Sequence, residues 1–125
     1  MMQETPRADD VLQAIKSSLD RDKADDVIII DLAGKTSIAE YMIIASGSSK
    51  RQIAAMSDHI LEKTKALGVG SVAVEGASHC DWVLIDTGDV LVNLFRPEVR
   101  EFYALERLWG TSARFTGEQR AGSLL

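Results

Sequence analysis

Gly47 and Ser48 follow an apolar run and precede a stretch of helical periodicity. A turn in that place can aim backbone donors at a phosphate from a helix N-terminus. Enzymes that transfer nucleotides from such a turn also need two carboxylates one residue apart on a neighbouring strand, to hold divalent metal. The downstream acid Asp58 is followed by His59 and Ile60 inside the helical stretch, so the pair is missing and Gly47-Ser48 reads as a turn with an N-cap. Asp86 and Asp89 flank Gly88 and offer carboxylates to a hard cation. No third ligand lies nearby, and Asp on a tight turn bonds its own backbone. His79, Cys80 and Asp81 are adjacent, which sends neighbouring side chains to opposite faces of an extended chain and lacks the spaced pairs of a zinc site. His59 reads as a solvated residue on the polar side of its helix. No G-x-S-x-G, P-loop or G-x-G-x-x-G pattern occurs. The expectation is a non-enzyme with no catalytic residue, no cofactor and no metal.

A different chemistry gathers toward the end of the chain. Trp82, Leu84, Phe95, Phe102, Tyr103, Leu105, Leu108 and Trp109 hold both tryptophans and most of the aromatics. They are interleaved with Asp81, Asp86, Asp89, Glu98, Arg100, Glu101, Glu106 and Arg107. Aromatics and arginine ringed by charge are what protein interfaces enrich. Phe95, Phe102 and Leu108 read as core. Trp82, at a strand start beside Asp81, and Tyr103, off the main helical stripe, are candidates for exposure.

The elements that must position these residues follow from periodicity. Ala8, Val11, Leu12, Ile15 and Leu19 form one helical stripe, with Thr5 and Pro6 as its expected start. Residues 27–30 form a strand buried on both faces, and residues 41–45 a second. A helix over 50–67 carries Ile53, Met56, Ile60, Leu61, Thr64 and Leu67 on one face, with a Ser49–Gln52 capping box and a Gly68 C-cap. A short strand is expected at 71–74, a loop at 75–78, and a hairpin of 82–86 and 90–95 around Thr87-Gly88-Asp89. Pro97 opens a last helix that Gly110 stops. The order α-β-β-α-β-β-β-α predicts a single α/β sandwich with a mixed sheet, because the hairpin is antiparallel.

The whole chain has 125 residues, 46% hydrophobic and 26% charged, which suits one domain. Residues 1–110 are read as that domain and 111–125 as a flexible tail. With 14 basic and 19 acidic residues the net charge is −5; leaving out Arg114, Glu118 and Arg120 gives 12 and 18, or −6, for 1–110. That balance argues against gripping RNA or DNA mainly by phosphate, Lys50-Arg51 being the sole basic pair, and favours a basic protein surface as partner. The single cysteine, Cys80, allows no internal disulfide. No apolar run of 18 residues occurs and residues 1–10 lack a secretory h-region, so a cytoplasmic location without membrane contact is expected.

Six segments in register resemble the ribosomal silencing factor (Iojap-like) family. They are 28–32, 39–49, 51–52, 75–76, 82–90 and 100–109, within a match running from about Val11 to Gly110. Two positions depart from the family pattern. Glu40 stands where an Asp is usual, and Asn93 where a His is usual; Asn can keep hydrogen bonds but cannot act as a base. The resemblance implies a nucleotidyltransferase-like fold without an active site. It also implies binding to the large ribosomal subunit at its protein fourteen, blocked joining of the small subunit, and lowered translation under nutrient limitation. On that reading Trp82, Leu84, Asp86, Arg100, Tyr103 and Glu106 are expected near the contact, with little direct ribosomal RNA contact. The other readings are a degenerate nucleotidyltransferase that still binds nucleotide at Gly47-Ser48, and a homodimeric scaffold; self-pairing of the free protein fits the family.

Overall fold

Isoleucine-rich runs too short for helices become strands, and the two long amphipathic stretches become helices that cover them. In a computed structural model, which describes residues 6–99, the order is α1 (Ala8–Arg21), β1 (Asp25–Asp31), β2 (Tyr41–Ser46), α2 (Lys50–Leu67), β3 (Ala73–Glu75), β4 (Trp82–Asp86) and β5 (Val90–Phe95). Residues 97–99 are helical, which places Pro97 at the expected helix start; the rest of that helix and the tail at 111–125 lie outside the described residues. The α/β sandwich with a mixed sheet is confirmed.

The five strands lie in the order β1-β2-β5-β4-β3. β2 and β5 pair in parallel, while β1–β2, β5–β4 and β4–β3 are antiparallel. Strand alternation divides the side chains between two layers. Ile29, Ile43, Ala45, Val83, Ile85, Val90, Val92 and Leu94 pack against Val11, Leu12, Ile15, Leu19, Ile53, Met56 and Ile60 of the helices. Ile28, Ile30, Met42, Ile44 and Phe95 point the other way and join Leu32 and Ala39 in a second cluster. This is why residues 28–30 are all buried although β1 is an edge strand.

Helix α2 matches its expected bounds. Ser49 Oγ accepts from the Gln52 N–H at 3.1 Å, and Gly68 closes the other end at φ 94°. The reciprocal half of the capping box is displaced: Gln52 Oε1 accepts from the Ser48 N–H at 2.6 Å, and its Nε2 donates to the carbonyls of Asp22 and Lys23 at 3.0 and 3.2 Å. One glutamine thus ties the start of α2 to the turn between α1 and β1.

Two boundaries differ from expectation. Helix α1 begins at Ala8 with Arg7 as N-cap rather than at Thr5 and Pro6, because the Arg7 carbonyl accepts the first helical bonds, from Asp10 and Val11 at 3.0 and 3.1 Å. The third strand runs Ala73–Glu75, not 71–74, since the register pairs Ala73, Val74 and Glu75 with Asp86, Ile85 and Leu84. Glu75 is therefore strand, and the turn begins at Gly76.

Candidate protein-binding surface

β4 alternates, so Trp82, Leu84 and Asp86 share the sheet face away from α1 and α2. Across the ladder they meet Phe95, Asn93 and Leu91 of β5. Trp82 and Leu84 are partly exposed, Asp86 is exposed, and Val83 and Ile85 between them are buried. Three of the six expected contact residues therefore come together on one face. Arg100, Tyr103 and Glu106 lie outside the described residues.

The indole of Trp82 is held by two neighbours on β5. Its Nε1–H donates to Asn93 Oδ1 at 2.9 Å, and its ring lies tilted against Phe95 with centroids 4.9 Å apart. Asn93 is 2% exposed, so its amide oxygen needs this donor. Asn93 thus has a structural use: an acceptor that fixes the tryptophan. On the backbone side, Gly76 at φ 86° passes so close that a Cβ there would sit 2.2 Å from the Trp82 carbonyl oxygen. The strand start is fastened by Arg96, whose N–H donates to the Asp81 carbonyl at 3.1 Å. The Arg96 guanidinium pairs with the carboxylates of Asp81 and Glu98, which raises the guanidinium's own pKa. Glu98 is held below the usual carboxylate range by a bond to its own backbone and by Arg96.

The motifs weighed for chemistry resolve into structure. Asp86 Oδ1 accepts from the Gly88 N–H at 2.8 Å, and the Thr87 hydroxyl bridges to Val90, which makes the aspartate a turn residue. The Asp89 carbonyl accepts from the N–H groups of Glu40 and Tyr41 at 2.8 and 3.1 Å. Glu40 is tied there through its backbone, so this link does not depend on its side chain. Cys80 is buried and donates its Sγ–H to the Ala77 carbonyl, His79 is exposed, and Asp81 serves Arg96; the three do not converge. At Gly47, a Cβ would meet Ile53 Cγ1 and Met56 Cε at 2.7 and 2.8 Å, so close packing of α2 explains the glycine. Ser48 N–H already bonds Gln52, so the turn spends donors on its own helix. Among the described residues, no three His, Cys, Asp or Glu side chains group as a metal site, and no helix is long and apolar enough to cross a membrane.

His59 is exposed, as its solvated reading expects, and it also carries an ionic partner. Its Nδ1 lies 2.7 Å from Asp22 Oδ2, and that hydrogen bond, reinforced by the carboxylate's charge, raises the imidazole pKa. A raised folded value means the pair stabilises fully below histidine's ordinary value of about 6.5 and loses its effect as pH rises through the folded value. The melting temperature gap between wild type and His59→Ala is expected to be wider at about pH 6 than at about pH 9. A gap of constant size would show that the pair is not coupled to folding. Tyr41 makes a matching tie from β2 to α1: its hydroxyl donates to Asp9 Oδ1 at 2.7 Å, and that bond raises the phenol's pKa.

Sequence reasoning placed the strand at 82–86 and missed the Trp82–Asn93 bond, the Gly76 approach and the Asp22–His59 pair. Only Gly76 left a signal, as a glycine just after a short strand.

A family model described as ribosomal silencing factor during starvation matches residues 5–123. A ribosomal silencing factor RsfS from Zymomonas mobilis is 50% identical over 100 residues, 80% of this chain and 75% of that protein. A mouse protein named mitochondrial assembly of ribosomal large subunit protein 1 is 33% identical over 78% of this chain and 44% of its own length. A crystal structure of a Chromobacterium violaceum protein superposes with a TM-score of 0.80 at 36% identity, covering 83% of this chain and 87% of that one.

Proposed function

Because the chain belongs to the ribosomal silencing factor family, we propose that it represses translation by seating the sheet face of Trp82, Leu84 and Asp86 on the large ribosomal subunit. The site there is protein fourteen of that subunit, and the bound domain excludes the small subunit when nutrients are short. Arg100, Tyr103 and Glu106 complete the contact. The action is steric, takes place in the cytoplasm and needs no catalysis; the same face can pair two free copies.

The observation that carries this reading is the segregation of charge. Residues 25–49 and 69–99, the strands and their loops, hold nine acidic and two basic residues, or −7. Residues 6–24 and 50–68, the helices and their ends, hold six acidic and eight basic, or +2. The half that bears the partly exposed tryptophan is thus the acidic half. An apolar patch rimmed with acid fits a basic protein surface and is repelled by bare phosphate backbone. The mouse relative's name, which refers to the ribosomal large subunit, points to the same particle.

Sucrose-gradient sedimentation with purified subunits tests the proposal. Added protein is expected to travel with the large subunit and to reduce the joined-ribosome peak. Protein that stays at the top of the gradient and leaves joining unchanged would rule the proposal out.

A further inference from the structure

The helical layer carries the positive part of the charge, and some of it converges. Between the C-terminal halves of α1 and α2 lies a cleft of about 250 Å3 lined by Ser18, Arg21, His59, Glu62 and Lys63. Arg21 and Lys63 have no carboxylate within 4 Å among the described residues. His59 is oriented by Asp22 through Nδ1, which leaves Nε2 to donate when the ring is protonated. Ser18 is 3% exposed, yet its hydroxyl has no hydrogen-bond partner among the described residues. A buried hydroxyl on a helix ordinarily bonds a carbonyl one turn back, as Thr64 does to Ile60 at 2.9 Å. Cations near helix C-termini complement the helix dipole, which accounts for Arg21 and leaves the unspent hydroxyl unexplained.

We propose that this cleft binds a single phosphate group, with Arg21 and Lys63 as its charged arms and Ser18 and, when protonated, His59 as further donors. The volume is below the roughly 300–1,000 Å3 of sites that enclose whole drug-sized ligands, so it suits one phosphate rather than a nucleotide. Glu62 lines the same cleft and opposes the anion, which makes binding weak and salt-sensitive. The phosphate can belong to a free small compound or to an RNA backbone. The cleft lies on the helical side, remote in the layer order from the Trp82 face, and does not depend on what that face binds.

Heteronuclear NMR on the full chain tests this without ribosomes, titrating first inorganic phosphate and then a short unstructured oligouridine. Saturable shifts are expected at residues 18–23 and 59–63. Arg21→Ala with Lys63→Ala should weaken binding at least about tenfold, and Ser18→Ala, which removes no charge, should weaken it measurably. Tighter binding of the oligouridine would identify RNA backbone as the source, and equal or weaker binding a free phosphate compound. Shifts no larger in the cleft than at Lys50 and Arg51, or unchanged in the double variant, would overturn the proposal.

Discussion

Trp82→Ala is expected to weaken binding to the large subunit by about 2 kcal/mol or more, roughly thirtyfold in Kd. Tryptophan on a partly exposed apolar face brings the largest contact area a single residue can offer, at a low cost in side-chain entropy. Here that entropy is already largely spent in the free protein, because Asn93 and Phe95 hold the indole in place. The same substitution strands the Asn93 amide oxygen, a loss of about 1–3 kcal/mol in folding. The binding measurement therefore needs a companion that leaves no orphan. Leu84→Ala serves, since Leu84 sits on the same face, is partly exposed and has no polar group to abandon. Affinity can be read by co-sedimentation across a concentration series, with thermal melting as the folding control. If both variants are folded at the assay temperature and bind large subunits as well as wild type, the contact lies elsewhere on the domain.

Gly76→Ala is expected to lower stability by about 3 kcal/mol or more, with a fall in melting temperature of roughly 10 °C. Two independent costs coincide at this position. At φ 86° an L-residue is strained, at about 1–2 kcal/mol. The new methyl would also lie 2.2 Å from the Trp82 carbonyl oxygen, a backbone atom that cannot rotate aside. Relief requires β3 and β4 to part, at the strand start that places Trp82. Gly34→Ala is the control: its φ of 82° carries the same conformational strain, but a Cβ there meets nothing within 4 Å. The difference between the two variants measures the steric part alone. Equal melting temperatures would show that the loop around Gly76 yields easily.

Most of the fold was legible because its signals are local. Alternation between Val83 or Ile85 and their partly exposed neighbours marks β4, and the Ser49 and Gly68 caps bound α2 to the residue. The helix start at Arg7 was not legible, because Arg7 makes no side-chain cap to announce it where a threonine and a proline offered a more familiar signal. The third strand slipped because three residues of weak pattern are placed by their partner, and Leu84, Ile85 and Asp86 set that register from across the ladder. For the site, chemistry pointed to Trp82, but nothing in the chain announced that Asn93, eleven residues on, would hold it. Asp22 and His59 are separated by 37 positions, and only the packing of α1 against α2 brings them together. Pairings of this kind are properties of the assembled layers and have no periodicity to read.

The strand order also sets when the molecule can exist at all. Among the described residues β5 is the last strand in sequence, yet it is inserted between β2 and β4 at the middle of the sheet. During synthesis α1, β1, β2 and α2 emerge first, and β2 must wait with one edge open until residues 90–95 arrive some fifty positions later. Closure is therefore a late, nearly single event rather than a gradual build-up, and chains cut short before Phe95 are expected to remain open and prone to wrong strand pairing. A protein proposed to halt ribosomes becomes a finished domain only after almost all of its described residues have been made, so no half-synthesised chain presents the completed surface to the machine that is making it.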